Sequence, residues 1–235
     1  MNTEEYCREI EAYLCRKNDG HLIRIVGPSF ERVCGWANEG IPYKIACEGI
    51  DRYFVRYYAK GPRRRPVQID FCENDVLDAF DAWRRAVGVR LPGTAETEET
   101  AAVRRRQRSL PEHLDRVCEK ITHRRAGLNP LPPEYDRVLD DMTREVSAFK
   151  DLASPIRGDT RDRVLARLAE LDRMMLQSAR AHTDPAILQT FRHEAAEQLR
   201  PFRDRMAADA YERAIAAAVD NLLRERENLP AVSFA

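Results

Sequence analysis

Residues 42–58 read PYKIACEGIDRYFVRYY, and the fold class follows from how that stretch is spaced. Pro42 stands where a helix tolerates proline, in its first turn, and the apolar positions Tyr43, Ala46, Cys47, Ile50, Tyr53, Phe54 and Tyr57 recur every three to four residues. The opposite face carries Lys44, Glu48, Arg52 and Arg56 at four-residue steps. This is an exposed charged row in which Glu48 precedes Arg52 in the order that favours pairing along a helix. Gly61-Pro62 ends the segment.

Working outward, the same period recurs on both sides. Tyr6, Ile10, Tyr13 and Leu14 predict a helix from Asn2 to Lys17, stopped by Asn18, Asp19 and Gly20. His21 to Val26 reads as extended chain or as a lead-in to Gly27-Pro28-Ser29, which starts a second helix running to about Asn38 before Gly40 breaks it. Val76, Leu77, Phe80 and Trp83 place a fourth helix at about Cys72 to Val87. Together these elements predict an N-terminal helical module over residues 1–92 with a basic edge. Residues 93–109 hold Glu96, Glu98 and Glu99, then Arg104, Arg105, Arg106 and Arg108, with few apolar side chains to bury, and read as a charged linker.

Beyond it, Ser109-Leu110-Pro111-Glu112 has capping-box spacing and opens a helix to about Arg125. Further helices are expected from Glu134 to about Leu152, from Asp159 to about Ala181, from Asp184-Pro185 through Arg200, and from Asp209 onward with the stripe Tyr211, Ile215, Ala218 and Leu222. Alanines in the last helix permit close approach, so residues 110–235 are expected to form a helical bundle that associates with itself or with a protein partner. The fold class is all-α.

Composition fits this. The 235 residues carry 39 basic and 39 acidic side chains, which excludes a polybasic coat, and 33% charged residues beside 43% apolar ones suit narrow apolar stripes under wide polar faces. No segment approaches the roughly 18 consecutive apolar residues that cross a bilayer, and Met1 to Leu14 is acidic where an export signal is basic, so no membrane contact and a cytoplasmic location are expected. In that setting Cys7, Cys15, Cys34, Cys47, Cys72 and Cys118 read as reduced, largely core thiols, with a metal or cluster as the alternative.

Enzyme signatures are missing: the sequence has no glycine-rich phosphate loop, no G-x-S-x-G, no H-E-x-x-H and no Glu-x-x-His pair. His113, Cys118 and His123 are five apart and diverge around a helix, and the acidic row Asp136, Asp140, Asp141 and Glu145 reads as a solvated face. No catalytic residue, metal or cofactor is assigned, and the chain is read as a non-enzyme. The informative stretch is RYFVRYYAKGPRRRP, residues 52–66, with Arg52, Arg56, Lys60, Arg63, Arg64 and Arg65 and no acidic residue. Such a cluster suits phosphate, with Tyr57 or Tyr58 available to stack on unpaired bases; a solvated basic face and a site for an acidic protein are the competing readings.

Trp36, Gly40-Ile41-Pro42, Ile45, Gly49-Ile50-Asp51, the basic interval and a helix ending in Trp83 resemble, over about residues 28–88, the small helical domain of DnaD-type primosome and phage replication proteins. The resemblance implies a compact module that contacts DNA and replication partners through its last helix and the segment C-terminal to it. The function expected is therefore a DNA-associated accessory protein of replication or mobile-element maintenance, with a helical protein-protein adaptor that ignores nucleic acid as the alternative.

Overall fold

The computed structural model describes residues 2–59, 61, 65–89, 109–127, 131–150 and 158–234. The chain is all-α. Its described residues form α1 (Thr3–Lys17), α2 (Pro28–Glu39), α3 (Tyr43–Tyr58), a 3-10 turn (Ile69–Cys72), α4 (Glu73–Val87), α5 (Leu110–Arg125), α6 (Pro133–Lys150), α7 (Gly158–Ala181), α8 (Pro185–Leu199), a second 3-10 turn (Arg200–Arg205) and α9 (Ala208–Glu227), with no strand among them. Among these residues no helix is long and apolar enough to cross a membrane.

Two compact units emerge, Met1–Arg90 with Gln198–Ala214, and Leu91–Glu197 with Ile215–Ala235. The linker expected over residues 93–109 lies outside the described residues except for Ser109, whose hydroxyl accepts the Glu112 N–H at 3.4 Å and caps α5.

In the first unit most helix ends have a local cause. Asn2 and Glu5 close a reciprocal capping box on α1, Pro28 opens α2, Pro42 precedes α3, and Gly40 and Gly88 end α2 and α4 in the left-handed region. Asn18, almost wholly buried, donates through Nδ2 to the carbonyls of Leu14 (2.9 Å) and Val67 (3.1 Å) and accepts the Val67 N–H at 2.7 Å. One amide thus satisfies both main-chain groups of a residue 49 positions away and fixes the return of the chain from α3 toward α4.

The core itself is Ile10, Leu14, Val33, Trp36, Ile50, Phe54, Val76, Phe80 and Trp83. Helices α3 and α4 meet closely at Gly49, where an added Cβ would fall 2.4 Å from the Val76 Cα. Residues 198–214, read from sequence as part of the C-terminal bundle, group instead with this unit. The reason is aromatic burial. Phe202 is fully enclosed with its ring centroid 6.3 Å from Phe80 and 6.0 Å from Trp83, and Pro201 lies so close to Gly40 that a Cβ there would be 2.9 Å from the proline Cβ.

The second unit buries Leu114, Val117, Ile121, Tyr135, Leu139, Met142, Val146, Leu168, Leu171, Met175 and Leu223 in one apolar cluster. The C-terminal segment is strapped to it by polar bonds. Asp172, 8% exposed, accepts the Val232 N–H at 2.7 Å and faces Arg224 at 2.5 Å, while His113 Nε2 bonds the Val232 carbonyl at 2.9 Å. The acidic row of α6 is engaged by arginine. Arg125 grips Asp136 (2.7 Å) and Asp140 (2.6 Å), holding the Asp136 carboxyl below its ordinary range, and Arg167 does the same for Glu145 at 2.6 Å.

Candidate nucleic-acid interface

The basic edge is built on the C-terminal half of α3 and on Arg65 after it, and the aromatic Phe71 joins it from the 3-10 turn before α4. Four-residue spacing puts Glu48, Arg52 and Arg56 on one side of α3, and the structure pairs the first two, with Arg52 Nη2 2.5 Å from Glu48 Oε1. Arg56 reaches across to α4 and closes a two-pronged pair with Asp75, at 2.9 and 2.8 Å. The pair is lopsided in exposure: the Asp75 side chain is 10% exposed and that of Arg56 64%. Asp75 therefore anchors the guanidinium from beneath and leaves most of the arginine in water.

Arg56 also lies over the Tyr53 ring, 5.4 Å from its centroid. Tyr53 is near-parallel to two further rings, Tyr57 at 5.7 Å and 22° and Phe71 at 6.3 Å and 12°. Tyr58 meets Tyr57 edge-on at 5.2 Å and tilts against the buried Phe54 at 5.9 Å. Burial raises the Tyr53 phenol above its usual range, so this ring stays neutral at physiological pH. The Tyr57 hydroxyl donates to the Arg65 carbonyl at 3.3 Å, which ties the last arginine of the run back to α3. Arg65 itself is exposed and makes no ion pair among the described residues.

Of the residues expected to form the site, Arg52 and Arg56 share one side of α3, Tyr57 and Tyr58 lie further round the same helix with Tyr57 bonded to the Arg65 carbonyl, and Lys60, Arg63 and Arg64 lie outside the described residues. Two participants carry no sequence signal as site residues. Asp75 sits 19 positions from Arg56 on the next helix, and Phe71 stands alone between acidic and small polar neighbours. Phe71 is 58% exposed although Ile69 and Cys72, on the same turn, are buried.

Three of the six cysteines are placed as packing residues, while Cys15, Cys34 and Cys118 are half-buried. Cys7, Cys47 and Cys72 are enclosed, and burial pushes Cys47 up to about 11 and Cys72 up to about 12, so they are protonated at neutral pH. Cys7 and Cys34 touch as free thiols at 3.5 Å. Among the described residues no three His, Cys, Asp or Glu side chains converge as a metal site. Set against protein-family models, curated proteins and solved structures, the chain matches none.

Proposed function

We propose that this protein is a nucleic-acid-associated accessory factor, of the kind that serves replication or mobile-element maintenance, and that it binds the phosphate backbone along the edge running from Arg52 to Arg65. The observation that carries the reading is the acid-free stretch of six basic residues whose described members, Arg52, Arg56 and Arg65, are exposed, with Tyr57 and Tyr58 on the last turn of the same helix. The resemblance of residues 28–88 to the DnaD-type helical domain points the same way. Glu48 and Asp75 weigh on the other side, because each already neutralises one arginine. They set the expected strength rather than abolish it, since Arg65, the third described cation, is paired with neither of them.

The salt dependence measures this. If all six cations release counterions, the log-log slope of binding is about -5. If Arg52 and Arg56 keep their carboxylates, about four phosphates are neutralised and the slope is about -3 to -4. Replacing Arg63, Arg64 and Arg65 together by alanine flattens it by up to about 3. An absence of binding to DNA or RNA at about 50 mM salt, where such contacts are strong, ends the proposal.

The pairing of Arg52 and Arg56 favours the second reading, a helical adaptor with a near-neutral face. A stable oligomer or protein complex formed through residues 110–235 in sedimentation, with added nucleic acid ignored, is the result that reading expects.

A further inference from the structure

We propose that the edge prefers single strands to duplexes because it stacks an unpaired base on Phe71. This rests on the nucleic-acid reading above and names the form of the polymer.

Phe71 is a large apolar ring left 58% exposed on a turn whose other apolar members are buried. It is held all the same: its ring lies 12° from the plane of Tyr53 at 6.3 Å, and Tyr53 is itself fixed beside Tyr57 and beneath the Arg56 guanidinium. The result is an ordered aromatic row whose Tyr57 end abuts Tyr58 edge-on and whose Phe71 end opens to solvent. A purine or pyrimidine is a flat π-system of matching size, and stacking on such a ring needs no particular base. In a duplex both faces of each base are already occupied by neighbours, so the ring gains nothing without unstacking one. In a single strand the base is free to turn outward while its phosphates lie along Arg52, Arg56 and Arg65. Charge favours this occupant over an apolar protein helix, because the row carries the 64% exposed Arg56 over Tyr53, while Asp70 and Glu73, the carboxylates flanking Phe71 in sequence, are already paired with Arg32.

The test uses the full chain and two fluorescein-labelled probes, an oligothymidylate of about 16 nucleotides and a mixed-sequence duplex of the same length, in anisotropy titrations at low salt. The single strand is expected to bind about tenfold more tightly than the duplex. Phe71→Ala is expected to lose about tenfold on the single strand with a much smaller loss on the duplex, and Phe71→Trp to retain the preference. Because Phe71 is exposed, neither variant removes a core contact. Equal or tighter duplex binding, or an equal loss on both probes in Phe71→Ala, overturns the single-strand inference and leaves the backbone-binding reading standing. Failure of both probes to bind overturns both.

Discussion

Gly49→Val unfolds the first unit at a markedly lower urea concentration than the parent chain, with an expected loss of about 3 kcal/mol or more. A Cβ at this position would meet the Val76 Cα at 2.4 Å, its main-chain N at 2.6 Å and Cγ2 at 2.8 Å. Two of those atoms are backbone, so no side-chain rotation relieves the clash and α3 and α4 must separate. Separation exposes Ile50, Phe54, Val76 and Phe80, which are otherwise buried. Alanine shows the sign of the effect more cleanly. In an open helix Gly→Ala gains about 1 kcal/mol, and Gly35 in α2, with nothing within 4 Å of its Cβ position, should show that gain. Gly49→Ala should instead destabilise. A denaturation midpoint that rises in Gly49→Ala, as it should in Gly35→Ala, would mean that the α3–α4 contact is not as close as described.

Asp172→Ala has the second large effect, in the other unit. The side chain is 12% exposed and its carboxylate serves two partners, Arg224 at 2.5 Å and the Val232 N–H at 2.7 Å. Its removal leaves a guanidinium whose side chain is only 15% exposed and whose Nη1 already lacks a partner, together with an unpaired buried amide. Breaking one side of such a pair costs about 3–5 kcal/mol, and the nearby Asp220, already shared with Arg180, keeps the expected figure at the lower end of that range. Asp172→Asn keeps an acceptor for Val232 and loses the charge, so it should fall between parent and alanine. Hydrogen exchange at the Val232 amide reads the strap directly: strong acceleration in Asp172→Ala is expected, and unchanged protection would contradict the account.

The two units also show which parts of the molecule are legible in the sequence. Helix α3 is readable because proline, period and a terminal Gly-Pro all agree, and its described end at Tyr58 lies three residues before the glycine that the reading takes as its stop. The start of α4 is harder to place. Ile69 and Cys72 are three apart and both buried, a spacing that a 3-10 turn satisfies as well as an α-helix, so the true α-helix begins one residue later, at Glu73. Residues 198–214 depart from the sequence reading for a different reason. Phe202 is a lone aromatic between Pro201 and charged residues, without the repeat that marks a face, and its pocket is made by Gly40, Phe80 and Trp83, well over a hundred positions earlier.

The basic edge divides along the same line. The Arg52–Glu48 pair follows from spacing within one helix. The hold of Asp75 on Arg56 depends on how α3 crosses α4, and that crossing is set by Gly49 rather than by anything local to either charge. Phe71 is invisible in the sequence as a site residue because only its failure to be buried singles it out, and exposure is a property of the folded chain.

The claim on which the functional account rests is that a polyanion lies along the Arg52–Phe71 edge. Photo-crosslinking of the full chain to a single-stranded oligonucleotide carrying 4-thiothymidine, followed by peptide mapping, tests it most directly. The account predicts crosslinks concentrated between residues 52 and 71, with Tyr57, Tyr58 and Phe71 among them, fading as salt is raised. Crosslinks confined to residues 110–235, or none at low salt, would contradict it.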